Sequence, residues 1–199
     1  MQSKRIVIQP VSLKKGCSTT LQLARIEAYA IDYFDFLING VAGNYPCINI
    51  QGFNIVITAT EYDLDVDDHL ELLIHYHGIR DYEALFSFVA DTSLRKRIAE
   101  FYHDSEKCFE NGAWLPFSLM CGGIFEGILI SQSISGNNFA DKISNALSAG
   151  IIDSNTRLVM DNVRDNRNLV HANRHNQPYV ARKEAMDIRT TLDKLIEKF

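Results

Sequence analysis

The spacing of apolar positions changes near the middle of the chain. In the first half, residues 5–11 read as a short strand, and residues 20–37 carry apolar side chains at helical spacing. Two further strand-like runs, 47–50 and 54–60, flank Gln51-Gly52-Phe53, where Gly52 suits a tight hairpin. An acidic turn over 61–68 leads into 69–77, whose period fits strand and helix alike. Residues 1–91 are therefore expected to form a small α+β region.

The second half has helical periodicity with clear punctuation. A helix over 93–111 stops at Asn111-Gly112, and one over 114–133 has Pro116 in its first turn and ends at Ser135-Gly136-Asn137. A third covers 139–149 and stops at Gly150. Asp153 or Ser154 caps a fourth that runs to about Asn173, and Pro178 opens a last one ending near Phe199. Short connections between five such helices predict an antiparallel bundle over 92–199. The expected fold class is mainly α: a helical bundle preceded by the small α+β region.

Composition is that of a globular chain, with 46% hydrophobic and 23% charged residues. The most apolar stretch, 113–130, contains Pro116, Ser118, Gly122, Gly123, Glu126 and Gly127, and so reads as a buried helix and not a membrane span. No secretory signal is recognised at the start. Cys17, Cys47, Cys108 and Cys121 show no CxxC pairing, which suits reduced thiols and a cytoplasmic location. The net charge of −5 argues against a protein that coats nucleic acid non-specifically. That charge is uneven: residues 1–91 hold 6 Lys and Arg against 12 Asp and Glu, while 92–199 hold 14 against 13. Between Arg164 and Lys183 lie Arg167, Arg174, Arg182, His171 and His175, with Asp165 the one acid. An anionic ligand would bind there.

On a continuous helix of about 3.6 residues per turn, with Arg164 at zero, Asn168 falls at about 40°, His171 at about −20°, His175 at about 20° and Arg167 at about −60°. Val159, Val163 and Val170 fall on the opposite side, so the Arg/Asn/His stripe faces solvent, a ligand or a second subunit. Planar guanidinium groups suit phosphate oxygens, and an imidazole takes and returns a proton near neutral pH. Together they suit RNA cleavage: His171 takes the 2′-hydroxyl proton and an arginine steadies the charge on the phosphorus oxygens. No metal and no cofactor is needed. The plain alternative is a solvated polar helix face.

The run Arg164-Asp165-Asn166-Arg167-Asn168-Leu169-Val170-His171 resembles the signature of the HEPN superfamily (higher eukaryotes and prokaryotes nucleotide-binding). Its members are helical bundles with a late helix carrying Arg, a polar residue directly after it, four to six intervening residues, and His. Arg164 fits with six intervening residues; Arg167-Asn168 has the familiar dipeptide but only three before His171. The resemblance covers 92–199, including the apolar helix with its lone Glu126, and leaves out 1–91. It implies a metal-independent endoribonuclease that leaves a cyclic phosphate, of a toxin–antitoxin or defence system. The implied partners are RNA, a second copy in a homodimer, and an antitoxin or other protein; no membrane is implied. Catalytic roles fall to His171, Arg164 or Arg167, and Asn168, with Arg174 and His175 contacting phosphate. Other members of the superfamily have lost cleavage and serve as nucleic-acid-binding or protein-interaction modules. Glu126 is expected to sit at the bundle edge or to pair with, and orient, an arginine of the signature helix.

Two other candidates are weaker. In the acidic turn, counting Asp63 as the first EF-hand position puts Asp68 where Gly is needed and Ile74 where Glu is needed, which excludes that loop. His69, His75 and His77 with Glu71 could line one strand face as transition-metal ligands, although an ordinary strand is the stronger expectation.

Overall fold

A computed structural model describes residues 2–8, 12–22, 25–43, 47–51 and 54–199. The chain divides into two compact units, Met1–Ala84 and Leu85–Phe199.

Unit 1 is built from strands: β1 (Gln2–Ile8), β2 (Ser18–Gln22), β3 (Tyr29–Ile38), β4 (Val41–Gly43), β5 (Cys47–Gln51), β6 (Asn54–Thr58) and β7 (Leu70–Ile79). They form two antiparallel sheets, ordered β1-β7-β3-β4 and β2-β6-β5. Side chains of a strand alternate between faces. Leu70, Leu72 and Ile74 of β7, Phe36 of β3, and Ile55 and Ile57 of β6 thus point into one apolar cluster shared by both sheets. The ambiguous run 69–77 is therefore strand from Leu70 onward. The hairpin expected after residue 50 pairs Ile50 with Ile55 and Gln51 with Asn54, while its turn residues Gly52 and Phe53 lie outside the described residues. So do residues 9–11 of the first expected strand.

The mainly-α expectation is overturned. Helix makes up 49% of the chain and strand 23%, an α+β fold. The largest error is the helix expected over 20–37. Arg25 sits at φ 71°, a short 3-10 turn spans Ile26–Ala28, and β3 follows at once. Its Tyr, Ile and Phe side chains favour a pleated surface over a helix. Two register shifts, between Tyr29 and Ile31 and between Ile31 and Tyr33, break the two-residue alternation that would have disclosed the strand.

Unit 2 is helical: α1 (Thr92–Glu110), α2 (Trp114–Ser131), α3 (Phe139–Ser148), α4 (Ser154–Asn166) and α5 (Arg182–Lys198). Three starts are fixed by side-chain caps that satisfy first-turn amides. Asp91 accepts from the Ser93 and Leu94 N–H groups, Asn138 from Asp141 N–H, and Asp153 from Thr156 N–H. The core helix is α2, which packs against each of the other four. By length and composition it could cross a membrane, but 56% of it is buried within the unit.

Candidate functional site

The signature segment begins on α4 and does not stay helical. After Asn166, residues Arg167–Val170 form a 3-10 turn, His171 is extended (φ −83°, ψ 127°), and Ala172–Arg174 make a second 3-10 turn. The helix expected to reach about Asn173 therefore ends at Asn166, and the angular positions that placed Asn168, His171 and His175 on one straight stripe do not hold. Asparagine competes for backbone hydrogen bonds and is a poor helix former, and this segment holds Asn166, Asn168 and Asn173. Asn166 itself is buried, and its amide donates to Ser118 Oγ (3.0 Å) and Glu184 Oε1 (2.7 Å), pinning the helix end to α2 and α5. The buried line of α4 is Met160, Val163 and Asn166; Val170, beyond the break, is 53% exposed.

The two candidate arginines have different surroundings. Arg164 donates to Asp161 (2.8 Å) and, through two nitrogens, to Asp165 (2.8 and 3.1 Å). The Asp165 hydrogen bond raises its pKa further above the ordinary guanidinium value. Its charge is neutralised on its own helix. Arg167 reaches across to α2, where its guanidinium lies 3.3 Å from Glu126 Oε2 and over the ring of Phe139, 5.1 Å from the centroid. A Cβ at Gly122 would lie at ordinary contact distance, 3.6 Å, from that guanidinium but only 3.1 Å from Val163, so the glycine lets α4 pack closely on α2. Glu126 is thus one of the two expected alternatives: it pairs with an arginine of the signature segment, and that arginine is Arg167.

A third member was not anticipated. Lys142 of α3 places its ammonium 3.7 Å from Glu126 Oε1 and donates to the Gly136 carbonyl (3.0 Å). Helix side chains lean toward the N-terminus, so Glu126 lies over the turn bearing Gly122, whose neighbours are Val163 and Arg167. Lys142 itself carries no distinguishing mark in the sequence.

Asn168, His171, Arg174 and His175 are all exposed, and the His175 ring nitrogen Nδ1 lies 3.2 Å from the Ala172 carbonyl. Arg167 and His171 are four positions apart across the 3-10 turn, Arg167 with its guanidinium held on α2 and His171 exposed. Chemically the segment offers a half-exposed cation, two solvent-facing imidazoles and one further exposed arginine. That is a set able to bind and polarise a phosphate group.

The histidines of unit 1 are dispersed. His69 Nε2 lies 2.7 Å from Glu71, His75 Nε2 2.9 Å from Asp35, and His77 Nδ1 2.8 Å from Asp32. Among the described residues, no three His, Cys, Asp or Glu side chains gather as a metal site. Comparison with protein-family models, with curated proteins and with solved structures finds no match for this chain.

Proposed function

We propose that unit 2 is a HEPN-like ribonuclease module, cytoplasmic and homodimeric, that cleaves RNA without a metal ion within a toxin–antitoxin or defence system. Two observations carry this: the Arg167–Glu126 pair, and an exposed His171 four positions further along the same segment. In the proposed step the His171 imidazole takes the proton of a 2′-hydroxyl, and the 2′-oxygen attacks the adjacent phosphorus. Arg167 holds the phosphorus oxygens, whose charge grows in the transition state. The bond to the 5′-oxygen breaks, leaving a 2′,3′-cyclic phosphate, and the departing oxygen takes a proton from the imidazolium. Asn168, Arg174 and His175 lie on the same exposed segment and contact neighbouring phosphates.

Incubation of the protein with structured RNA in EDTA tests this. The native chain is expected to release fragments with cyclic phosphate ends, and His171→Ala to release none. Equal cleavage by both proteins, or cleavage by neither on several RNAs, overturns the enzyme. A second reading, a module that binds RNA or protein without cutting, is favoured by one observation: Arg164, which matches the family spacing, is already paired with Asp161 and Asp165.

A further inference from the structure

Glu126 is shared. One carboxylate oxygen faces Arg167 at 3.3 Å and the other faces Lys142 at 3.7 Å. A strong charge-assisted hydrogen bond is nearer 2.7–2.9 Å, so both contacts are loose, and exposure and anchoring decide which cation can leave. The two cations are not equivalent. The Arg167 side chain is 41% exposed, whereas that of Lys142 is 13% exposed. Lys142 is also anchored. Its ammonium donates to the Gly136 carbonyl, Asn145 ties down the Ser135 carbonyl (2.8 Å), and Asn138 caps α3 (2.9 Å). Gly136 sits at φ +152°, and a Cβ there would lie 2.8 Å from the Lys142 backbone nitrogen, so the loop closes on Lys142 only with glycine.

We propose that Lys142 is the positioning residue of a phosphodiester site. It keeps Glu126 neutralised when a phosphodiester draws the Arg167 guanidinium away, so the trio of Glu126, Lys142 and Arg167 binds a monoanion with a net charge of +1. This rests on the reading of unit 2 as a phosphodiester-binding module, and not on cleavage. With Arg167 alone opposite Glu126, transfer of that arginine to phosphate would leave a partly buried carboxylate bare beside a second anion. Desolvation and like-charge repulsion oppose such an arrangement. An anchored Lys142 removes the penalty and leaves Arg167 free to move.

The test is a titration of the full chain with a short oligodeoxynucleotide, which lacks the 2′-hydroxyl and cannot be cleaved, followed through the Arg167 side-chain Nε–H signal by NMR. The native protein is expected to show a saturable shift. Lys142→Met is expected to weaken binding about five- to tenfold, the size of coupling between contacting charges. Lys142→Arg should rescue it. In a Glu126→Gln background, Lys142→Met should change affinity less than about twofold, because no carboxylate then needs compensation. Matching backbone spectra establish that each variant is folded, and Lys142→Gln replaces Lys142→Met if that variant is not. Equal affinity of native and Lys142→Met proteins overturns the proposal, as does an undiminished Lys142→Met effect in the Glu126→Gln background. So does an Arg167 signal that never responds. A titration that behaves as expected, in a protein that cleaves no RNA, removes the ribonuclease and leaves this site standing.

Discussion

At the scale of single residues, what distinguishes the two signature arginines is the position of the nearest carboxylates. Asp161 and Asp165 are neighbours of Arg164 on one helix, three positions before it and one after, and they occupy its donors in the free protein. Exposed pairs of this kind contribute little to stability, about 0–1 kcal/mol. They also leave little charge for a ligand. Arg167 instead pairs with a residue 41 positions away, and its donors stay half exposed. Under the proposed reaction, Arg167→Ala is expected to lower the cleavage rate about 100-fold, as removal of one donor to a transition-state oxyanion does. Arg164→Ala should leave the rate within about twofold of the native value. Single-turnover kinetics of the two variants decides, and the reverse order would move the phosphate clamp to Arg164 and discard the role given to Arg167.

At the scale of elements, three of the helices were legible because they carry their own punctuation, whereas α2 and α5 have no side-chain cap and α5 begins at Arg182, four residues after the Pro178 expected to open it. Asp91, Asn138 and Asp153 cap the starts, and Asn111-Gly112 and Gly150 end two of them. The strands were less so, because β3 buries Phe36 while Tyr33 and Asp35 face the other way, and its register shifts hide the period. The break after Asn166 was only half legible: the asparagines disfavour helix, but its position is pinned by Ser118 and Glu184, residues of other helices that hold the Asn166 amide. Glu126 was found as a lone charge in an apolar run, but the identity of its arginine had to come from packing. Packing also explains a pair of glycines that the sequence shows only as lying within α2. A Cβ at Gly127 would lie 2.6 Å from Ile98, and one at Gly123 would lie 2.8 Å from the Phe101 ring, so both permit α1 to approach α2 closely. Alanine is the better helix former by about 1 kcal/mol. Ile98 is 1% exposed and has no room to yield. Gly127→Ala is therefore expected to destabilise unit 2 by about 1–3 kcal/mol, the usual cost of overpacking. Urea unfolding followed by Trp114 fluorescence measures it, and an unchanged or raised midpoint would show that α1 shifts freely.

At the scale of the whole molecule, two units with separate cores respond differently to acid. Unit 1 holds Glu71, whose side chain is 2% exposed and accepts from Arg5 (Nε, 2.8 Å, with a second guanidinium contact) and from His69 (2.7 Å). The Arg5 hydrogen bond lowers its pKa below the ordinary 4.5, with burial opposing and His69 assisting. Asp63 is lowered in the same way, first by its hydrogen bond from Lys14 and then by the Lys15 backbone N–H. A carboxylate whose folded pKa lies below its unfolded one stabilises the fold fully above the unfolded value, and that contribution is lost as pH falls through the folded value. Unit 1 should accordingly lose stability as pH drops below 4.5, the ordinary value for Glu71. Arg5→Met removes the main cause of the Glu71 shift, so at neutral pH it lowers the stability of unit 1. The gap between native and variant proteins should then narrow below pH 4.5, once the glutamate takes up its proton in both. The single tryptophan, Trp114, lies in unit 2, so its fluorescence midpoint is expected to be insensitive to Arg5→Met while circular dichroism of the strands reports the change. A gap that stays constant from neutral pH to about pH 3 would show that Glu71 and Arg5 are not linked in this way. A Trp114 midpoint that moves with the Arg5 substitution would show that the two units unfold as one.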